Sequence, residues 1–145
     1  METYKEFKKR KQDAINKFTN ANMVWAFGKE QLKEKLAELG LTEEEFQDQY
    51  CGYCGGAMRR DKVKEWCQLC VKWDKELKNK MTENEEFAIE AFETEFSNYE
   101  CFIGDYNNAL NALSIEVQDI DEGAPLHKAY KKALRKYKDW CCEHI

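Results

Sequence analysis

The sequence has few helix breakers and lacks a long apolar run. One proline and seven glycines are spread over 145 residues. No apolar run approaches the roughly 20 residues that a membrane-spanning helix needs. The first five residues also lack the apolar core of a signal peptide. We therefore expect a helix-rich protein that binds no membrane and is made in a cytoplasm.

Recognisable catalytic patterns are also missing. The sequence contains no phosphate-binding loop, no dinucleotide-binding glycine motif and no nucleophile elbow. Its two histidines, His127 and His144, lie near the C-terminus and far in sequence from any candidate nucleophile, so we interpret them as surface or helix-end residues. We expect a protein that is not an enzyme. An enzyme that uses the polar residues from Glu95 to Glu100 is a residual alternative.

The composition provides enough apolar side chains for a buried core. Hydrophobic residues make up 43% of the chain and aromatic residues 13%, which excludes a disordered composition. A chain of this length is most simply one domain, spanning residues 1–145. Apolar stripes at helical spacing dominate the sequence. The predicted fold class is therefore α+β and predominantly helical, with five to six helices, a small sheet of about three short strands and a zinc-knuckle insertion.

Local signals define the ends of several predicted elements. Gly40 follows a leucine stripe and predicts a helix end. Thr42 with Glu45, and Thr82 with Glu85, have the spacing of capping boxes and predict two helix starts. The three predicted strands cover residues 23–27, 57–60 and 101–103.

Four of the seven cysteines form two CxxC pairs separated by twelve residues, Cys51, Cys54, Cys67 and Cys70. Nothing in the sequence indicates export, so metal binding explains the pairs better than disulfides do. Zinc prefers four soft ligands in a tetrahedron, and each pair supplies two thiolates. We predict one structural zinc ion per chain, bound within the segment 51–70. The other thiols, Cys101, Cys141 and Cys142, are interpreted as buried or incidental.

The zinc segment has a second interpretation. Arg59 and Arg60 lie between the two cysteine pairs, so the segment could be a zinc finger that contacts nucleic acid. The chain is acidic overall, with a net charge of -5, whereas nucleic-acid-binding domains usually carry a basic surface. We therefore favour a zinc ion that only stabilises the fold. A catalytic zinc is disfavoured because four cysteines leave no coordination position for water.

Charge is strongly segregated along the chain. Residues 83–122 carry twelve carboxylates and no lysine or arginine, whereas residues 1–82 carry a net charge of +3 and residues 123–145 one of +4. Such a segment can serve solubility, bind a metal or dock on a basic partner. The docking hypothesis names five candidate contacts: Glu86, Glu90, Glu93, Glu95 and Glu100.

Several motifs together resemble a known group of proteins. They are WAFGKEQL at 25–32, GGAMRR at 55–60, FETEFSNYE at 92–100, the stretch DYNNALNAL at 105–113 and the aromatic C-terminal helix. In combination they are similar to a family of small phage and prophage proteins of unknown function, over roughly residues 22–142. Members of that family have a glycine-rich turn at positions 51–56, usually without the cysteine quartet. The resemblance implies that zinc here reinforces a turn that other members form without metal.

The resemblance also implies a function. A phage origin suggests an accessory protein of the bacterial host cytoplasm, for example an anti-CRISPR-like inhibitor of a host defence complex. Its partner would be a host protein or ribonucleoprotein that binds the acidic face. The alternative is a zinc-finger-like regulator that binds DNA or RNA through Arg59, Arg60 and the basic faces of the terminal helices.

Overall fold

Helices account for most of the structure. In this computed structural model, residues 1–53, 55–101 and 104–144 are described. They form a three-stranded antiparallel sheet and seven helices, one or two more than expected. The helices are α1 (Tyr4–Asn22), α2 (Lys29–Leu39), α3 (Glu43–Gln49), α4 (Val63–Glu83), α5 (Glu85–Asn98), α6 (Asn107–Ala112) and α7 (His127–His144). The strands are β1 (Met23–Val24), β2 (Tyr50–Tyr53) and β3 (Gly56–Arg59).

The chain divides into two compact units. Residues 10–70 form one unit, called here the sheet unit because it holds all three described strands. Residues 1–9 and 71–145 form the other, called here the helical unit. The expected organisation as one domain over residues 1–145 stays a prediction. No helix in the described part of the chain is both long and apolar enough to cross a membrane.

The predicted helix ends agree with the structure at two of three places. Gly40 is in the left-handed conformation that closes α2, with φ 68°. Thr42 and Glu45 form both hydrogen bonds of a capping box at the start of α3. The capping box predicted at Thr82 is wrong, because the Thr82 hydroxyl donates to carbonyls inside α4. Asn84 caps α5 instead, and its side chain accepts a hydrogen bond from the amide of Phe87.

The sheet differs from the prediction in its third strand. Its strand order is β1-β3-β2, and the fully buried Met58 of the central strand lies opposite both Met23 and Cys51. β2 forms where the sequence predicted only a glycine-rich loop, because pairing with β3 satisfies its backbone groups. The strand predicted at 101–103 is not supported at Cys101, which is in a 3₁₀ turn, and its other two residues lie outside the described part of the chain.

Aromatic side chains form the core of the helical unit. Phe7 of α1 meets Trp73 of α4 and Phe87 of α5 edge-on, with ring centroids 5.6 and 5.9 Å apart. Phe96 of α5 meets Tyr130 of α7 in the same way at 5.9 Å. These edge-to-face contacts join α5 to helices on both sides, so α5 is the central helix of the unit.

Candidate functional site

Three of the four predicted zinc ligands lie on two elements of the sheet unit, β2 and the beginning of α4. Cys51 is in β2 and is half-buried. Cys67 and Cys70 are in α4, where Cys67 is exposed and Cys70 is half-buried. Their spacing of three residues places both on one face of the helix. A single 3₁₀ turn, Arg60–Lys62, connects β3 to α4.

The quartet as a whole stays a prediction, because Cys54 lies outside the described residues. Within 1–53, 55–101 and 104–144, no three histidine, cysteine, aspartate or glutamate side chains are grouped so that they could hold a metal ion. Gly55 has φ 83°, a conformation that glycine adopts without strain. The residue after Cys54 therefore has the left-handed backbone conformation that a tight cysteine knuckle requires.

The β2–β3 hairpin, which contains the first cysteine pair, is covered by an aromatic side chain. A Cβ atom on Gly56 would lie 2.7 Å from Cε3 of Trp25. No real Cβ contact is that short, so the indole can occupy this place only because residue 56 is glycine. Two motifs that are distant in sequence, WAFGKEQL and GGAMRR, thus meet at one contact.

The two arginines proposed as nucleic-acid contacts already have partners in the sheet unit. Arg59 pairs with Asp61 at 3.0 Å. Arg60 donates two hydrogen bonds to the backbone carbonyl of Gln47, at 3.2 and 3.1 Å. The second contact ties the end of α3 to the end of β3. A phosphate would have to compete with these partners, so the contact role of both arginines stays a prediction.

Three of the five carboxylates proposed for docking bind groups of the helical unit itself. Glu90 accepts hydrogen bonds from the amides of Tyr4 and Lys5, at 3.2 and 3.1 Å. These amides belong to the first turn of α1, where a negative charge is favourable. Glu93 lies 3.6 Å from the ammonium group of Lys136. Glu90 therefore compensates the helix dipole of α1, and Glu93 lies beside a cation of α7.

Glu95, the third, is buried. It is only 2% exposed, and it accepts hydrogen bonds from the Tyr4 hydroxyl and the Lys8 ammonium group, each at 2.7 Å. Burial, and then the bond to Glu95, raise the pKa of Tyr4 above its ordinary value. Glu95 therefore anchors the first turns of α1 to α5, and its side chain is not available to a partner in this structure.

Glu86 and Glu100 are the exposed members of the predicted docking set. Glu86 is in the first turn of α5, and Glu100 lies just beyond the last turn. A helix rises 1.5 Å per residue, so the two positions are roughly 20 Å apart along the axis. The carboxylates of α5 therefore do not form one continuous exposed row.

A groove with a basic lining lies between α5 and α7. Its volume is about 890 Å³. Glu85 is paired with both Lys128 and Lys132, and the hydrogen bond from Lys132 lowers the pKa of this glutamate. Among the residues that the structure describes, Lys131 and Arg135 have no carboxylate within salt-bridge distance. The residues lining the groove are Glu85, Glu86, Ile89, His127, Lys128, Lys131, Lys132, Arg135 and Lys136.

A smaller aromatic pocket continues this groove. It has a volume of about 230 Å³ and shares Lys136 with the larger groove. Trp140 lines it and is 49% exposed. The indole is nearly parallel to the rings of His144 and Tyr137, with ring centroids 4.6 and 6.2 Å away. At 6.2 Å the Tyr137 ring overlaps the indole only at an offset. A half-exposed indole therefore lies at one end of a row of cations.

The histidines and the remaining thiols have local explanations. His127 and His144 are at the two ends of α7, and Nδ1 of each lies 2.8 Å from a backbone carbonyl. Their interpretation as helix-end residues is confirmed. Cys101 is fully buried, and its burial, followed by the charge of Asp105, raises the pKa of its thiol. Cys141 is half-buried and Cys142 is exposed.

Neither the groove nor the burial of Glu95 is among the predictions from the sequence, although both have a sequence signal. The cations of α7 recur at steps of three and one residues, at 128, 131, 132, 135 and 136, which places them on one helix face. Glu95 follows Ala91 and Phe92 by four and three residues and therefore falls on the apolar face of α5. A stripe defined by apolar residues alone leaves Glu95 out, although it lies on the same face of α5.

Comparison with known proteins places the chain in a family. A model described as a family of unknown function, DUF7659, matches residues 3–136. No curated protein matches the chain, and no solved structure does so.

Proposed function

Since the chain belongs to DUF7659, a family of unknown function, we propose that it is a non-catalytic binding protein that acts on a nucleic-acid-handling complex of its host cell. The observation that carries this proposal is the charge balance of the helical unit. Three carboxylates of α5, Glu90, Glu93 and Glu95, have partners within the unit, whereas Lys131 and Arg135 of α7 remain exposed. An exposed basic surface on an acidic protein favours a partner that carries phosphate, such as a ribonucleoprotein.

A pull-down from a bacterial host lysate, run with and without nuclease, tests this function. We expect the tagged protein to capture a complex and the variant Lys131→Gln/Arg135→Gln to capture much less of it. Lys72→Gln/Lys75→Gln is the matched control, because it removes the same charge from exposed positions of α4. Equal capture by both double variants would contradict a role for the α7 surface.

The acidic docking surface is the second candidate. Glu86 and Glu100 are exposed, and so are the carboxylates Glu116, Asp121 and Glu122 between α6 and α7. A basic partner could bind them without disturbing the fold. We expect Glu86→Lys/Glu100→Lys to lose such a partner and Asp13→Lys/Glu34→Lys, with the same charge change elsewhere, to keep it. The opposite pattern would rule out this surface.

We also propose a structural zinc ion bound by Cys51, Cys54, Cys67 and Cys70. The short connection from hairpin to helix supports the proposal, and so does the pair Cys67 and Cys70 on one face of α4. The role of such an ion would be to fix the hairpin to the start of α4, because structural zinc contributes directly to folding. Such an ion would take no part in a chemical reaction.

Zinc content and stability test the metal proposal together. Protein purified without added metal is expected to hold one zinc ion per chain, and Cys67→Ser is expected to lose it and to melt at a lower temperature. Cys142→Ser, a change at an exposed thiol in α7, is the control and should retain the metal. Fully folded wild-type protein that lacks zinc would contradict the proposal.

For the biological role we propose a phage-encoded inhibitor of a host defence complex of the CRISPR type. The sequence resemblance to small phage and prophage proteins supports this, and a non-catalytic protein suits inhibition by occupancy. Expression of the chain should restore plasmid transformation in bacteria whose CRISPR system targets that plasmid. Unchanged transformation, with the protein present and the defence complex captured in the pull-down, would contradict inhibition.

A further inference from the structure

We propose that the α5–α7 groove binds a short single strand of nucleic acid, with phosphates on the cations of α7 and a base stacked on Trp140. This inference rests on the proposed function and names its ligand. Two features of the helical unit meet at Lys136, the basic groove and the aromatic pocket.

The charge of the groove fits a phosphate backbone. Five cations and two carboxylates line it. Glu85 is shared by two of the lysines, and in the described part of the chain no carboxylate is close enough to pair with Lys131 or Arg135. Both of these side chains are exposed. A strand of phosphates would supply the counter-charges that the fold does not.

The aromatic pocket fits a base. Trp140 is 49% exposed, and the nearly parallel Tyr137 ring overlaps it only at an offset, with ring centroids 6.2 Å apart. Stacking on aromatic side chains is how proteins hold unpaired bases, and it needs no particular sequence because every base has a flat face. A base can use this pocket only if it is unpaired, which favours a single strand over a duplex.

The distance between the cations of α7 and Trp140 also fits a short nucleic-acid strand. Lys128 and Trp140 are twelve residues apart on α7, which corresponds to about 18 Å of helix. A stacked strand rises about 3.4 Å per nucleotide, so the groove spans about five nucleotides. An acidic peptide would satisfy the cations but has no flat group for Trp140, and an anionic membrane would not enter a groove between helices.

Fluorescence anisotropy with the purified full chain tests the inference. The probes are a labelled ten-nucleotide DNA strand, the RNA of the same sequence, the DNA duplex, a ten-residue polyglutamate peptide and vesicles that contain phosphatidylserine. We expect at least one of the two single strands to bind more tightly than the other three probes. The binding constant for that strand should fall as the salt concentration rises. A plot of its logarithm against the logarithm of the salt concentration should have a slope of about -3 if four phosphates are neutralised. No binding of either strand at 50 mM salt, or tighter binding of the duplex, peptide or vesicles, overturns the inference.

Three variants identify the site. Lys131→Gln/Arg135→Gln should reduce the slope by about half, and Trp140→Ala should weaken binding about tenfold whereas Trp140→Phe keeps most of it. Lys72→Gln/Lys75→Gln should bind as the wild type does. If strand binding is the same in the groove variants as in the wild type, the site is wrong. If strands do not bind but a nuclease-resistant partner is still captured from lysate, the inference fails and the proposed function stands.

Discussion

Replacement of Glu95 by alanine is expected to destabilise the helical unit strongly, although the residue belongs to a segment rich in solvent-exposed carboxylates. Its side chain is 2% exposed and accepts 2.7 Å bonds from Tyr4 and Lys8. Truncation leaves the buried Tyr4 hydroxyl without its acceptor, which costs about 1–3 kcal/mol. It also opens a cavity among packed aromatic side chains. The ion pair with Lys8 adds less, because the lysine is 48% exposed and the pair is screened by water.

We therefore expect Glu95→Ala to lower the free energy of unfolding by about 3 kcal/mol. For a chain of this size that corresponds to a fall in melting temperature of roughly 10 °C. Glu95→Gln keeps an acceptor for Tyr4 and loses only the charge, so it should cost about 1 kcal/mol. Urea unfolding followed by circular dichroism measures both values.

The control for this experiment is Glu86→Ala. Glu86 is on the same helix and is exposed, so its truncation should change stability by less than about 0.5 kcal/mol. A double-mutant cycle with Tyr4→Phe should give a coupling energy of about 1–2 kcal/mol between Tyr4 and Glu95. If Glu95→Ala lowers the free energy of unfolding no more than Glu86→Ala does, Glu95 does not anchor α1 to α5.

The contact between Tyr4 and Glu95 also predicts that the stability of the fold depends on pH in the alkaline range. Burial beside Glu95 raises the pKa of Tyr4 above its ordinary value of 10.0. Above about pH 10 the Tyr4 hydroxyl therefore keeps its proton in the folded state but loses it in the unfolded state. The stability that this contact contributes is complete below about pH 10 and falls as the pH rises above that value. The loss reaches at most about 1.4 kcal/mol per pH unit for one group. Tyr4→Phe should remove this part of the decline, and an unchanged slope in that variant would refute the assignment.

Three further predictions concern packing, capping and the metal. Gly56→Ala should destabilise the sheet unit by about 1–3 kcal/mol and alter tryptophan fluorescence, since the new Cβ would lie 2.7 Å from the Trp25 ring; unchanged melting and emission would contradict that packing. Asn84→Ala should cost about 1 kcal/mol through loss of the α5 cap and Thr82→Ala less than half of that; the reverse order in thermal melts would show that the cap is misassigned. Removal of zinc by a chelator should lower the melting temperature of the wild type but not that of Cys67→Ser; equal shifts would disprove a zinc site at these cysteines.

Local chemistry made much of the helical architecture predictable. The end of α2 at Gly40 and the start of α3 at Thr42 depend on residues within one turn of each other, so the sequence contains all the information they need. The apolar stripe of α5 likewise predicts which face is buried. The spacing of the cysteine pairs predicts a metal ligand set for the same reason.

Pairing between segments that are distant in sequence was less predictable. β2 is a strand only because β3 lies beside it, since the three glycines at 52, 55 and 56 indicate a loop rather than a strand. At the start of α5, Thr82 and Asn84 both have the residue type of a cap. Which of them serves depends on where α4 ends, and α4 continues to Glu83.

By itself, the sequence determined that this chain is mostly helical, that it has a small sheet, and that its charges are segregated along the chain. Only the tertiary structure decided which of those charges face solvent. Glu90 and Glu95 accept hydrogen bonds from groups of α1, and Glu93 lies beside Lys136 of α7, whereas Lys131 and Arg135 of α7 remain exposed. The physical reason is that the effect of a charge depends on its neighbours in space, and helices far apart in sequence supply those neighbours.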